Sequence, residues 1–188
     1  MNSHRCGWVK LSNEPYVNYH DNEWGKALFD DKALFELFSL ETQAAGLSWL
    51  SVLLKREEYK KAFYDFELQK VILMNENDIE NIIQNYNVIK NKAKLLAIVN
   101  NAKLISKIII EFGSWSNFLW SYVNHTQIIN HYENYKESPT TSEISDKLTK
   151  DLKKRGFKFV GSITIYAFMQ ACGMIDDHEE NCICKKVW

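Results

Sequence analysis

The run KAKLLAIVNNAKLISKIIIEF (92–112) constrains this chain most. Its apolar residues recur at helical spacing, neither Gly nor Pro interrupts it, and Gly113 follows as a natural C-cap. Only 7 Gly and 2 Pro occur in 188 residues, so the same reading extends along most of the chain. We expect an all-α protein. With 46% hydrophobic residues it has material for one solid core, or for two small lobes sharing one, in a single unit over 1–188.

Local signals place the other elements. Residues 1–30 read as irregular and aromatic. A helix is predicted from about Lys32 to Ala45, capped by Asp30 or Asp31. Gly46 interrupts it, and one helix is predicted to resume through LSWLSVLLKREEYKKAFYDF. Two short helices follow near 67–74 and 77–84, then a polar hairpin, NYNVIKNKAK (85–94). Residues 124–139 read as a surface connection. Thr140 and Glu143 have capping-box spacing for a helix that ends at Gly156, and the last helix should stop at Gly173.

The net charge of −1 excludes a strong global attraction to nucleic acid or membrane, but not a local basic face. The N-terminus MNSHRCGWVKLSNEP is polar and aromatic, unlike a signal peptide, and the apolar run 159–175 is too short to cross a bilayer. Four cysteines with no secretory signal point to a reduced, cytoplasmic protein with no membrane partner.

His178 and Cys182 lie four apart, so one helical turn could present both to a metal ion, with Cys184 nearby. Cys6 and His20 supply a second pair from the other end. Two thiolates and two imidazoles make a closed, structural zinc set that would join segments 1–30 and 174–188. The alternative is a set of ordinary Cys and His residues at loosely ordered ends.

In the hairpin, Lys90, Lys92 and Lys94 could add charge to a backbone phosphate site, or simply solvate a loop. The run 150–159 carries Lys153, Lys154, Arg155 and Lys158. These cations could grip DNA, or could only complement a helix C-terminus.

Glu41 stands on the same predicted helical face as Leu34, Leu37 and Phe38. A carboxylate there is costly unless paired. Either it forms a buried ion pair with Lys or Arg, or it accepts hydrogen bonds from surrounding aromatics, for which Trp8, Tyr16, Tyr19, Trp24 and Trp49 are candidates. An aromatic box with one acid suits a flat, cationic or donor-rich ring.

The segments RCGWV (5–9), YHDNEWG (19–25), AGLSWLSVLLKRE (45–57), FLWSYVNH (118–125), LKKRGFKFVG (152–161) and FMQACGMIDDH (168–178) resemble the 3-methyladenine DNA glycosylase I family over nearly the whole chain. The resemblance implies a helix-hairpin-helix glycosylase fold and excision of a flipped, alkylated base from double-stranded DNA, with free 3-methyladenine as product. It places zinc on Cys6, His20, His178 and Cys182, leaving out Cys184. It assigns base recognition to Glu41, with Tyr16, Tyr19 and Trp49 in the pocket and Trp8 and Trp24 nearby. It makes Gly46 and Leu47 the tip that fills the gap in the duplex. The glycine-free hairpin departs from the family pattern; Asn87 and Asn91 are the residues there that best tolerate positive φ. No Asp lies between Asp78 and Asp146, so the catalytic Asp common in related glycosylases is missing. A base that already carries positive charge needs little acid catalysis, and we expect a monomeric, monofunctional enzyme that uses water. Two other readings are a zinc-stabilised DNA-binding module without chemistry and a metallohydrolase.

Overall fold

Asp30 opens the central helix. Its side chain accepts a hydrogen bond from the Ala33 N–H (2.8 Å), and helix Asp31–Ala44 follows. The computed structural model describes residues 4–185. Its helices are α1 Glu14–Asn22, α2 Asp31–Ala44, α3 Trp49–Leu53, α4 Arg56–Ala62, α5 Leu68–Val71, α6 Glu76–Asn85, α7 Lys92–Phe112, α8 Trp115–Ser121, α9 Glu143–Arg155 and α10 Ser162–Ala171. Among the described residues, none is long and apolar enough to cross a membrane.

The predicted apolar stripe on α2 understates its position. Every residue from Leu34 to Ala44 is buried, polar ones included. A helix buried on all sides must be covered by several neighbours, and α3, α7, α8 and α10 all pack on it. Its first residue fixes one of them: the Asp31 carboxylate accepts from the Trp115 and Ser116 N–H groups (3.1 and 2.7 Å), capping α8. Phe38 inserts edge-on among Trp115, Phe157 and Phe168, so α2, α8 and α10 share one aromatic core.

Four expectations need correction. The first thirty residues are not all irregular, since Asn13 caps α1 through the Tyr16 N–H (3.1 Å). The helix expected after Gly46 is broken into α3, α4 and a 3-10 turn at Tyr64–Phe66, whose three residues have φ of +54, +53 and +52°. That turn brings Phe63 and Phe66 together into the core, stacked at 6.1 Å. The start of α9 is capped by Ser142, in a box with Ser145, and not by Thr140. Finally, 124–139 is more than a surface connection. Two-residue strands β1 Ile128–Ile129 and β2 Ile175–Asp176 pair in parallel, and a bridge from Tyr132 to Glu179 extends the pairing. This pairing draws Asp176 to Glu179 into the interior.

Between α6 and α7 the chain turns through residues 86–91. Asn91 has φ −119° and caps α7 through the Lys94 N–H (3.1 Å), and neither it nor Asn87 adopts positive φ. The turn closes in ordinary backbone conformations, so the missing glycines cost nothing.

Candidate active site

Glu41 sits near the C-terminal end of α2, only 7% exposed, and lines a cleft of about 310 Å3. All five expected aromatics, Trp8, Tyr16, Tyr19, Trp24 and Trp49, line the same cleft. Trp8 packs edge-on against Tyr16 and Trp24 with ring centres 5.1 and 5.0 Å apart, and Tyr19 lies 5.2 Å from Trp49. Long-range contacts assemble this wall: Trp8 precedes α1, Tyr16 and Tyr19 ride on it, and Trp49 opens α3.

The carboxyl itself has no partner among the described residues. Desolvation alone pushes its pKa up to about 8. Among the described residues the alternative of a buried ion pair is absent. So are the expected aromatic donors, since the buried Nε1 atoms of Trp8 and Trp49 have no hydrogen-bond partner. In the free protein Glu41 is therefore mostly neutral at pH 7, not ionised. Glu36, five residues earlier on α2, shows the contrast. It accepts from Arg56 Nε (2.6 Å), and Arg56 also reaches Glu23 (2.6 Å).

The opposite wall was missed in the sequence. Asp177 Oδ2 accepts hydrogen bonds from Ser138 Oγ (2.7 Å), Tyr166 Oη (2.8 Å) and Gln170 Nε2 (2.7 Å), while Oδ1 accepts from Asn130 Nδ2 (2.7 Å). This acid ties residues around 138 to α10. The adjacent Asp176 accepts from the ring of His178, at Nδ1 (2.7 Å). The run Asp176-Asp177-His178 was the only available signal, and it carried no hint of the pocket.

Behind the cleft, donor atoms of His20, His178, Cys182 and Cys184 lie within 4.8 Å of one another. His178 Nε2 is buried without a partner, while its Nδ1 is held by Asp176. His20 Nε2 stands 3.4 Å from Cys182 Sγ, and its Nδ1 faces Asp21 (2.8 Å). The Arg5 guanidinium lowers the Asp21 pKa to about 2. Carboxylates that orient both imidazoles, an orphaned imidazole nitrogen and a thiol held below the ordinary thiol range by Cys184 and Cys6 suit a soft divalent cation. The expected ligand Cys6 lies outside the four-residue cluster; it is buried beside Cys182, and its Sγ accepts from the Glu179 N–H (3.4 Å). Gly25 makes room here: φ is +71°, and a Cβ would come within 2.6 Å of the His178 ring.

At the end of α2, Gly46 turns the chain at φ +75° into open space, leaving Leu47 49% exposed. Lys153 and Lys158 line a shallow cleft beside Ala45. Lys154 is exposed as well. Arg155 differs from them, being held by Glu111 (2.6 Å) and Asp151 (3.2 Å) over the rings of Phe112 and Phe118. Among the hairpin lysines, Lys92 pairs with Glu76 and Glu80, and Lys94 is buried, so only Lys90 retains the expected exposed charge without an ion pair.

Fold and cleft together define a helical protein with an aromatic-lined cavity that can hold one flat, cationic or donor-rich ring against an unpaired acid. The chain belongs to the methyladenine glycosylase family, whose sequence profile matches residues 8–185. It is 48% identical over 181 residues to a DNA-3-methyladenine glycosylase of Haemophilus influenzae, covering 96% of this chain and 97% of that one. It is 46% identical to DNA-3-methyladenine glycosylase 1 of Escherichia coli, covering 96% of each. The structure of a 3-methyladenine DNA glycosylase I from Staphylococcus aureus, solved to explain 3-methyladenine recognition, superimposes with a TM-score of 0.94 at 42% identity over the full length of both chains.

Proposed function

We propose that this protein excises 3-methyladenine from alkylated double-stranded DNA, as a monofunctional cytoplasmic glycosylase acting as a monomer. The single observation that carries the reading is Glu41, a buried carboxyl without a partner among the described residues, set among five aromatic rings. Such an acid is unfavourable in the free protein and gains its partner when a positively charged base arrives. Methylation at N3 gives adenine that charge. The incoming cation lowers the Glu41 pKa, a proton leaves, and the carboxylate accepts from the ring edge. Trp49 and the tyrosines of α1 stack on and enclose the ring.

The alkylated base leaves its sugar as a neutral molecule, so protonation of the leaving group is unnecessary. Glu41 acts in recognition, water attacks the sugar, and the absence of Asp between Asp78 and Asp146 fits this division of labour. Leu47, carried by the Gly46 turn, fills the gap left in the duplex, and Lys153, Lys154 and Lys158 hold the DNA backbone. We read α6, residues 86–91 and α7 as the helix-hairpin-helix element. We assign zinc to Cys6, His20, His178 and Cys182. With four protein ligands the ion has no open position and supplies a cross-link between the two ends of the chain.

Incubation with methylated duplex DNA and chromatography of the released bases tests the reading. Free 3-methyladenine should appear with the DNA strands left intact. Binding without base release would instead mean a recognition module.

A further inference from the structure

Lys94 was a candidate phosphate ligand by sequence, yet the residue is only 6% exposed and its ammonium points into the protein. Nζ donates to the backbone carbonyls of Gln43 (2.8 Å) and Ala45 (2.6 Å), at the C-terminal end of α2. Gln43 answers: its Nε2 donates to the Lys94 carbonyl (2.9 Å). Gln43 Oε1 accepts from the Tyr59 hydroxyl (3.4 Å), which itself accepts from the Ile89 N–H (3.2 Å) in the turn between α6 and α7. The Phe159 ring, 5.9 Å away, covers the ammonium and stands in the cleft that Lys158 and Ala45 share.

An ammonium held by carbonyls and no carboxylate is an expensive choice where stability alone is served. The helix C-terminus offsets part of that cost, and what the arrangement specifies is position. Ala45 is the last residue before Gly46, so its carbonyl sets where the turn departs from α2. The Leu47 N–H closes the turn on the Ala44 carbonyl (2.7 Å), but beyond its two chain neighbours no atom lies within 4 Å of the Cβ position at Gly46 to brace the turn from outside.

We propose that Lys94 is a positioning residue that fixes the Gly46–Leu47 turn and, with Gln43 and Tyr59, joins it to the α6–α7 hairpin, so that DNA contact at the hairpin and insertion of Leu47 occur as one rigid unit. This rests on the proposed role of Leu47 as a duplex wedge. Lys94 touches neither base nor phosphate; it acts through the turn.

The test compares excision of 3-methyladenine from duplex and from single-stranded DNA by Lys94→Met, Tyr59→Phe and Leu47→Ala. Affinity for free 3-methyladenine, read from tryptophan fluorescence, reports on the pocket. Misplacing the turn by about 1 Å should cost Lys94→Met about 10–100-fold on duplex DNA. Its single-strand excision and free-base affinity should change by less than about 2-fold, because neither needs the wedge. Tyr59→Phe should show the same pattern with a smaller loss, and it decides the matter if Lys94→Met does not fold. Equal losses on both substrates, or no duplex loss, overturn the Lys94 inference while Leu47→Ala remains duplex-selective. If Leu47→Ala itself loses both activities equally, the wedge reading falls and the Lys94 inference with it.

Discussion

Glu36 and Glu41 occupy one helix, and both are buried, but only Glu36 has its cation. The difference carries a stability consequence. The unfolded chain ionises Glu41 above the ordinary carboxylate range near 4.5, while the folded protein keeps it neutral until about pH 8. Folding therefore becomes less favourable as pH rises between those values, and the loss amounts to about 3 kcal/mol at pH 7. Glu41→Gln should accordingly be more stable than the parent at pH 7 by about that amount. The two should converge near pH 4.5, as measured by urea unfolding. Equal stability at both pH values would mean that the site does not store this strain. At this scale the sequence was informative about Glu41, because an acid on an apolar stripe is anomalous without any structure. It could not show that the tryptophan donors fall short of the carboxyl. It also could not reveal Asp177, whose donors come from residues 130, 138, 166 and 170 and form no local pattern.

Elements with strong local end signals were legible: α2 begins after Asp30, α7 ends at Gly113, and α9 ends at Gly156. Elements whose formation depends on distant partners were not. Helix α1 is short and owes its place to buried Tyr19 and His20, and β1 exists only by pairing with β2. That pairing is what carries His178 to His20, with ring centres 5.1 Å apart. The metal assignment is therefore a claim about how the chain's two ends are joined. Purified protein should contain one zinc ion per chain. Cys182→Ser should lower both zinc content and thermal midpoint. Comparing Cys6→Ser with Cys184→Ser identifies the fourth ligand, with zinc lost in the former and kept in the latter. Metal retained by Cys6→Ser and lost by Cys184→Ser would assign the half-exposed thiol instead, and a metal-free parent of full stability would remove the site altogether.

Across the whole molecule, a net charge of −1 leaves DNA attraction to a local surface. Lys153 and Lys158 flank the same shallow cleft as Ala45, next to the turn that carries Leu47, and Lys94 anchors that turn from within. The cleft holding Glu41 opens among α1, α2, α3 and α10, with the paired histidines and cysteines behind it. On the proposed function, the energetically unfavourable carboxyl is the centre of the molecule's chemistry. The pH dependence of kcat/KM for release of 3-methyladenine from duplex DNA tests that claim directly, because it reports ionisation in the free enzyme. The parent protein should gain activity with rising pH, reach half its limiting value near pH 8, where Glu41 is half ionised, and level off above that, and Glu41→Gln should be much slower with that rise abolished. A fully active Glu41→Gln, or one that keeps the same pH profile, would contradict the account.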